Sequence, residues 1–170
     1  MQHTLSVLVE NQPGILSKVA SLFSRRGFNI DSLAVGVTED ISVSRITIVV
    51  DGDEHTVEQV EKQLNKLIQV IKVRVLQPDS FISRELSLIK VNCHTQDRSD
   101  VMKIAELMQA RIVDVTTTCL TLEFCDTAER TETLIALLRP FGFKEIVRAG
   151  AIAIEKGSHT ASSRRGQNPE

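Results

Sequence analysis

Residues 3–27 read His3-Thr4-Leu5-Ser6-Val7-Leu8-Val9-Glu10-Asn11-Gln12-Pro13-Gly14-Ile15-Leu16-Ser17-Lys18-Val19-Ala20-Ser21-Leu22-Phe23-Ser24-Arg25-Arg26-Gly27, and their periodicity changes once. Before Asn11, the residues Leu5, Val7 and Val9 alternate with Thr4, Ser6 and Leu8, the two-residue repeat of a half-buried strand. After Gly14, the residues Leu16, Val19, Ala20 and Phe23 recur at helical spacing, while Ser17, Lys18, Ser21 and Arg25 face away. Gly27 follows the last periodic residue, where a left-handed cap is open to glycine at little cost. A strand over His3–Glu10, a turn at 11–14 and a helix to about Arg26 follow from this pattern.

Working outward, Asn29–Val37 predicts a second strand and Ser44–Val50 a third, with Ile46, Ile48 and Val50 on one face. A helix then carries Val57, Val60, Leu64, Leu67 and Ile68 on one side. Either Asp53 or a Thr56–Gln59 capping box starts it. Val70–Leu76 closes the unit, with Ile71, Val73 and Val75 inward and Lys72 and Arg74 outward. Gln77-Pro78-Asp79 reads as a linker, since proline interrupts both regular structures. The pattern then repeats. A strand at Arg84–Asn92 precedes a helix near Ser99–Ala110, striped by Val101, Ile104, Ala105 and Met108. Strands follow at Arg111–Thr117 and Cys119–Cys125, the latter with Leu120, Leu122 and Phe124 on one face. Asp126 and Glu129 are candidate caps for a helix through Leu134, Ile135 and Leu138 that stops at Pro140. Phe143–Ala149 is the last predicted strand.

Two consecutive β-α-β-β-α-β units match the ferredoxin-like supersecondary pattern: α+β, each an antiparallel four-stranded sheet with both helices on one face. The expected boundaries are 1–77 for the first domain, 78–83 for a linker and 84–157 for the second domain. Residues 158–170 are polar and basic-leaning, and are expected to form a disordered tail.

Composition narrows the function. With 42% apolar and 25% charged residues, the chain is of ordinary globular type. A net charge of -2 gives no general attraction to nucleic acid or to anionic membranes. No apolar run approaches the roughly 20 residues of a membrane span. The opening Met1-Gln2-His3-Thr4 lacks the regions of a signal peptide, so a cytoplasmic location is expected. Cys93, Cys119 and Cys125 form no Cys-x-x-Cys pair, and His3, His55, His94 and His159 supply no metal-ligand spacing around them. Cys119 and Cys125 share a face of one predicted strand but sit about 20 Å apart, too far to bridge. RNA-binding relatives of this topology stack bases on strand aromatics, and the chain has no Trp and no Tyr. No nucleophile–base pair or metal cluster stands out, so no catalytic residue and no metal ligand is assigned. Glu39-Asp40 and Asp51-Gly52-Asp53-Glu54 read as solvated turn charge.

The Asn11–Gly14 turn admits two readings from the residues alone. One is plain helix capping, with Asn11 as N-cap. The other is a carboxylate site, because a helix start exposes unpaired N–H groups and partial positive charge. Pro13 loses nothing by lacking an N–H there, and Gly14 lets a ligand approach the backbone closely. A bound amino acid would also need an acceptor for its ammonium and an apolar pocket; Asn29 and Ile30 offer both.

Leu5–Gly14, Leu22–Leu33, Ser44–Val49, Arg84–Val91, Ile112–Thr116 and Leu137–Gly142 together resemble, in order and in register, the small subunit of acetolactate synthase (acetohydroxyacid synthase). The resemblance covers about residues 1–157. That family opens with an ACT domain, a ferredoxin-like module that senses amino acids. The resemblance implies a regulatory subunit of branched-chain amino acid biosynthesis with no catalytic site of its own. It would activate a separate large catalytic subunit, which carries thiamine diphosphate, Mg and FAD, and confer feedback inhibition by valine or a related branched-chain amino acid. Carried over by position, Asn11, Gly14, Ile15 and Leu16 would contact the effector from one chain. Asn29 and Ile30 would come from the neighbouring chain of an ACT homodimer. The chain departs from the family pattern at Phe28, Asp31, Val37 and Ile46, where tyrosine, glutamate, proline and methionine are frequent.

A homodimer also follows from topology, because the second strand of such a sheet lies at an edge whose free backbone groups invite pairing. Two alternatives stay open on the residues: a stand-alone acylphosphatase-like enzyme, and an amino-acid sensor of another complex. The second unit lacks the Pro-Gly turn and carries Asp97 and Asp100 at its helix start, so no equivalent amino-acid site is expected there.

Overall fold

The computed structural model describes residues 1–158 and divides into two units, Met1–Ile82 with residues 151–158, and Ser83–Gly150. In the first, β1 (Gln2–Glu10), α1 (Ile15–Arg26), β2 (Ile30–Val37), β3 (Val43–Asp51), α2 (Glu54–Leu64) and β4 (Val70–Leu76) follow the predicted order. The sheet order is β2-β3-β1-β4, all neighbours antiparallel, so β2 and β4 form its edges. Leu5, Val7 and Val9 of β1, Ile46, Ile48 and Val50 of β3, and the inner faces of both helices make one core.

The second unit repeats this with β5 (Phe81–Asn92), α3 (Arg98–Met108), β6 (Arg111–Val115), β7 (Cys119–Asp126), α4 (Ala128–Leu138) and β8 (Phe143–Arg148), in sheet order β6-β7-β5-β8. Its core gathers Ile89, Val91, Leu120, Leu122, Phe124, Leu134 and Leu138. Even the irregularities recur. The second strand of each unit carries an extra residue near its start, Asp31 and Val113, and so does the last, Ile71 and Lys144. In this second unit, Glu85 is buried and accepts from Arg148 Nη2 at 2.7 Å, while Glu132 accepts from Arg148 Nη1. Partial burial alone would lower the pKa of Arg148, but the hydrogen bonds to Glu132 and Glu85 outweigh it and hold the pKa above its ordinary value.

Several local expectations are corrected. The buried stripe of α1 is Ile15, Val19, Leu22 and Phe23, while Leu16 and Ala20 are exposed. The bulge at Ile71 reverses the facing of the strand start, so Val70 joins Val73 and Val75 in the core in place of Ile71. The second helix ends at Leu64; Leu67 still packs on the core from the following turn, but Ile68 is 92% exposed. Asp53 caps that helix, its Oδ1 accepting from Thr56 N–H at 2.8 Å, so the Thr56–Gln59 box does not form. Thr127, between the two candidate acids, caps α4, and Asp126 accepts from Thr127 N–H instead. Cys119 is buried with its sulfur 3.0 Å from Thr116 Oγ1, whereas Cys125 is exposed. The predicted linker is shorter, since Phe81 already opens β5.

One strand was not predicted at all. Ile152–Glu155 (β9) groups with the first unit by its contacts, and it also pairs with β5. The reason is a set of specific bonds. Ala151 N–H donates to Ser32 Oγ on β2 at 2.8 Å. Arg74 Nη1 on β4 donates to both oxygens of Glu155 at 2.9 and 2.8 Å. Lys156 N–H donates to Ser80 O at 2.8 Å. Ser32 and Arg74 both lie on the sheet face away from the helices, so β9 crosses that face from one edge strand to the other. Ala151 and Ala153 turn inward at 8% and 7% exposure, while Ile152 and Ile154 face out at 61% and 56%. The small residues let the crossing strand lie close. The expected disordered tail, 158–170, falls almost wholly outside the described residues. Among the described residues, no helix is long and apolar enough to cross a membrane.

A bulky residue in this crossing should lift it off the sheet. Ala153→Phe is expected to destabilise the chain by about 1–3 kcal/mol, read as a lowered urea midpoint. Ile152→Thr, one residue away on the outward side, should stay within about 0.5 kcal/mol of the parent chain.

Candidate effector site

Asn11 is not the cap of α1. Its backbone N–H donates to Ser42 O at 2.7 Å and its Nδ2 donates to Ile41 O at 2.8 Å, tying it to the β2–β3 turn. That turn is itself braced by Asp40, whose Oδ1 accepts from Ser42 N–H at 2.9 Å and from Ser42 Oγ at 2.6 Å. The pair Glu39-Asp40, read as solvated charge, thus includes a residue that shapes the loop holding Asn11. Because Ile41 O can only accept, the Asn11 amide is fixed with its nitrogen towards the turn and its Oδ1 free to accept.

The helix begins later than Asn11, with Gly14 in the N-cap position at φ 85° and no side-chain cap. Pro13 has no N–H to contribute. Among the described residues, the N–H groups of Gly14, Leu16 and Ser17 meet no acceptor, while Ile15 N–H reaches Gln12 O only at 3.4 Å. This is an uncapped helix start in solvent, with several donors converging where an anion is favoured. A Cβ placed on Gly14 would meet nothing within 4 Å, so the approach to these amides is open. Ile15 is 8% exposed and belongs to the core, so it can offer its backbone but not its side chain. Leu16, 42% exposed, offers an apolar side chain at the surface.

Asn29 and Ile30 lie elsewhere. The register Ile30↔Val50↔His3 places them beside the beginning of β1, whereas Val37↔Ser44↔Val9 places the other end of β2 beside the Asn11 turn. The separation is the length of the sheet, about 25 Å over eight residues of strand. A single chain therefore groups Asn11, Gly14, Ile15 and Leu16 at one end, and keeps Asn29 and Ile30 at the other. Ile30 is half-buried against the core, and Asn29 is exposed. Asp31, which sequence reasoning noted only as a departure from the family pattern, holds Asn29: its Oδ1 accepts from Asn29 Nδ2 at 2.8 Å, and its Oδ2 from Gln2 Nε2 at 3.2 Å. No periodicity signals that contact, because it depends on the bulge at Asp31. Among the described residues, no group of three or more His, Cys, Asp or Glu is placed to hold a metal ion.

Comparison with known proteins agrees with this architecture. Residues 5–72 match the model of the AHAS small subunit-like ACT domain, and residues 84–157 match that of the small subunit of acetolactate synthase. The chain is 50% identical over 155 residues to the acetolactate synthase small subunit of Mycolicibacterium smegmatis, covering 91% of each protein. It is 52% identical over 155 residues to that of Mycobacterium leprae, covering 91% of this chain and 92% of the relative. The crystal structure of the acetolactate synthase small subunit from Thermotoga maritima superposes with a TM-score of 0.86 at 38% identity, covering 94% of this chain and 99% of that one. With both units matched in order and the solved fold shared along nearly the whole length, the chain belongs to the acetolactate synthase small-subunit family.

Proposed function

We propose that this chain is the regulatory subunit of an acetolactate synthase of branched-chain amino acid biosynthesis. It works in the cytoplasm, activates a separate catalytic large subunit and transmits feedback inhibition by valine bound between two ACT units of a homodimer. Thiamine diphosphate, Mg and FAD belong to the catalytic partner. The observation that carries the site reading is the separation of the two half-sites along β2. That strand is a sheet edge, and antiparallel pairing with its own copy, in the register centred on β2, would set Ile30 of one chain opposite Val37 of the other. Asn29 of one chain then comes beside the β2–β3 turn of the other, the turn to which Asn11 is tied. One two-fold operation thus completes two identical sites.

The chemistry suits a small amino acid. The carboxylate takes the free amides at the start of α1 and the ammonium takes the asparagine oxygens. The side chain lies against Leu16 and the partly exposed Ile30. Such a ligand shifts the enzyme only by its differential affinity for two arrangements of the paired units, typically about 1–3 kcal/mol.

Gly14→Asp places a carboxylate beside the amides. Like-charge repulsion of several kcal/mol should weaken valine binding at least about tenfold in calorimetric titration. Gly14→Ala controls for the strain of a side chain at φ 85°, and should lose far less. Unchanged valine affinity in Gly14→Asp removes the site. The shared nature of the site has its own test. Gly14→Asp and Asn29→Ala chains, each defective alone, are expected to regain valine binding when mixed and allowed to exchange subunits. A mixture that binds no better than its components rules out a site built from two chains.

A further inference from the structure

We infer that Asp31 is a positioning residue that makes the proposed site selective for an ammonium group, by fixing which end of the Asn29 amide faces the ligand. This rests on the effector-site reading above. A primary amide is ambivalent: one end donates, the other accepts, and the two have nearly the same shape. An asparagine free to rotate can greet an ammonium with its oxygen or an oxygen ligand with its NH2. Here the choice is removed. An ionised carboxylate can only accept, so the 2.8 Å contact between Asn29 Nδ2 and Asp31 Oδ1 directs the NH2 end to Asp31 and leaves Asn29 Oδ1 as the presented atom.

The carboxylate is itself placed by two features. Asp31 is the extra residue of the bulge between Ile30 and Ser32. Bulges re-aim side chains, and this one lets Ile30 turn to the core while Ser32 turns to the opposite face, with Asp31 between them. Gln2 Nε2, at 3.2 Å from Oδ2, holds the second oxygen. The negative charge of Asp31, in contact with the nitrogen of the same amide, further favours a cation nearby. Asn11 is handled in a parallel way, its Nδ2 being taken by Ile41 O. The two asparagines of the proposed site therefore both present oxygen. A 2-hydroxy acid of the same skeleton has a hydroxyl where the amino acid has its ammonium; it can donate once but carries no charge, and should bind poorly for that reason.

The experiment compares valine with 2-hydroxy-3-methylbutanoate by calorimetry on the full-length chain, in the parent protein and in Asp31→Ala, Asp31→Glu and Gly14→Asp. Asp31 is exposed, so the variants are expected to fold, and thermal unfolding checks that they do. Asp31→Ala should lower valine affinity roughly tenfold, the loss of one charge-assisted orientation, and lower hydroxy-acid affinity much less, so the preference for valine narrows. Asp31→Glu keeps an acceptor-only group and should restore most of that preference. Equal losses for the two ligands in Asp31→Ala, or valine binding and preference as in the parent, overturn the positioning role. If Gly14→Asp also binds valine like the parent, the fault lies in the site reading; if Gly14→Asp abolishes binding, the site stands and only the role of Asp31 falls.

Discussion

The pairing of β1 with β3 sets the geometry of the first unit. Nine consecutive residues match without a shift, from Gln2 opposite Asp51 to Glu10 opposite Val43. Because side chains alternate, a slip of one residue would turn Leu5, Val7 and Val9 away from the helices, so burial locks the register. β3 then passes the same scale on to β2. Where the α1 turn lies and where Asn29 lies are both readings on this one ruler. The two candidate half-sites are at its two ends because β1 and β2 run parallel, each antiparallel to the strand between them.

A ligand that bridges two chains has an energetic side as well. Under the proposed reading, valine binds the dimer and not the separated chains, so occupancy adds to the stability of the dimer by mass action. Its apparent affinity then depends on protein concentration wherever the edge pairing is weak. On the same reading, rigid backing of the site would limit the ordering cost on binding. Both asparagines are pinned through their nitrogens and Gly14 is set in its left-handed conformation before any ligand arrives.

Most of the fold was legible because the apolar periods are clean over each long element. The failures have definite causes. Alternation is read by parity, and one extra residue reverses it, so Ile71 was exchanged for Val70. Ile15 and Leu16 are adjacent and both apolar, so the phase of the helix depends on its starting residue, which a left-handed Gly14 fixes and the pattern does not. Helix 54–64 ends with no glycine or proline to mark it, which drew Ile68 into a stripe it does not join. The capping reading of Asn11 fails because its true partner, Ile41, is 30 residues away. The strand at 152–155 was missed because it inverts the usual signal, with alanine inside and isoleucine outside. Of the candidate site, the turn and its chemistry are visible in the residues, whereas the proposed part of Asn29 rests on the family resemblance. The sheet register places Asn29 at the far end of β2 from that turn, which no local pattern shows.

The crossing strand has a consequence for how the chain is made. The first unit is not a contiguous stretch: the chain leaves it at Ile82 and returns at Ala151. Domains on a growing chain tend to fold in the order they emerge, at roughly 5–20 residues per second. The β-α-β-β-α-β core of the first unit can therefore form early, but its outer sheet face must wait for the whole second unit to be synthesised. Until then Ser32 and Arg74 lack their partners, Ala151 and Glu155, and the unit next to the emerging chain is unfinished. Completion of the first unit is a checkpoint that only a fully translated second unit can pass.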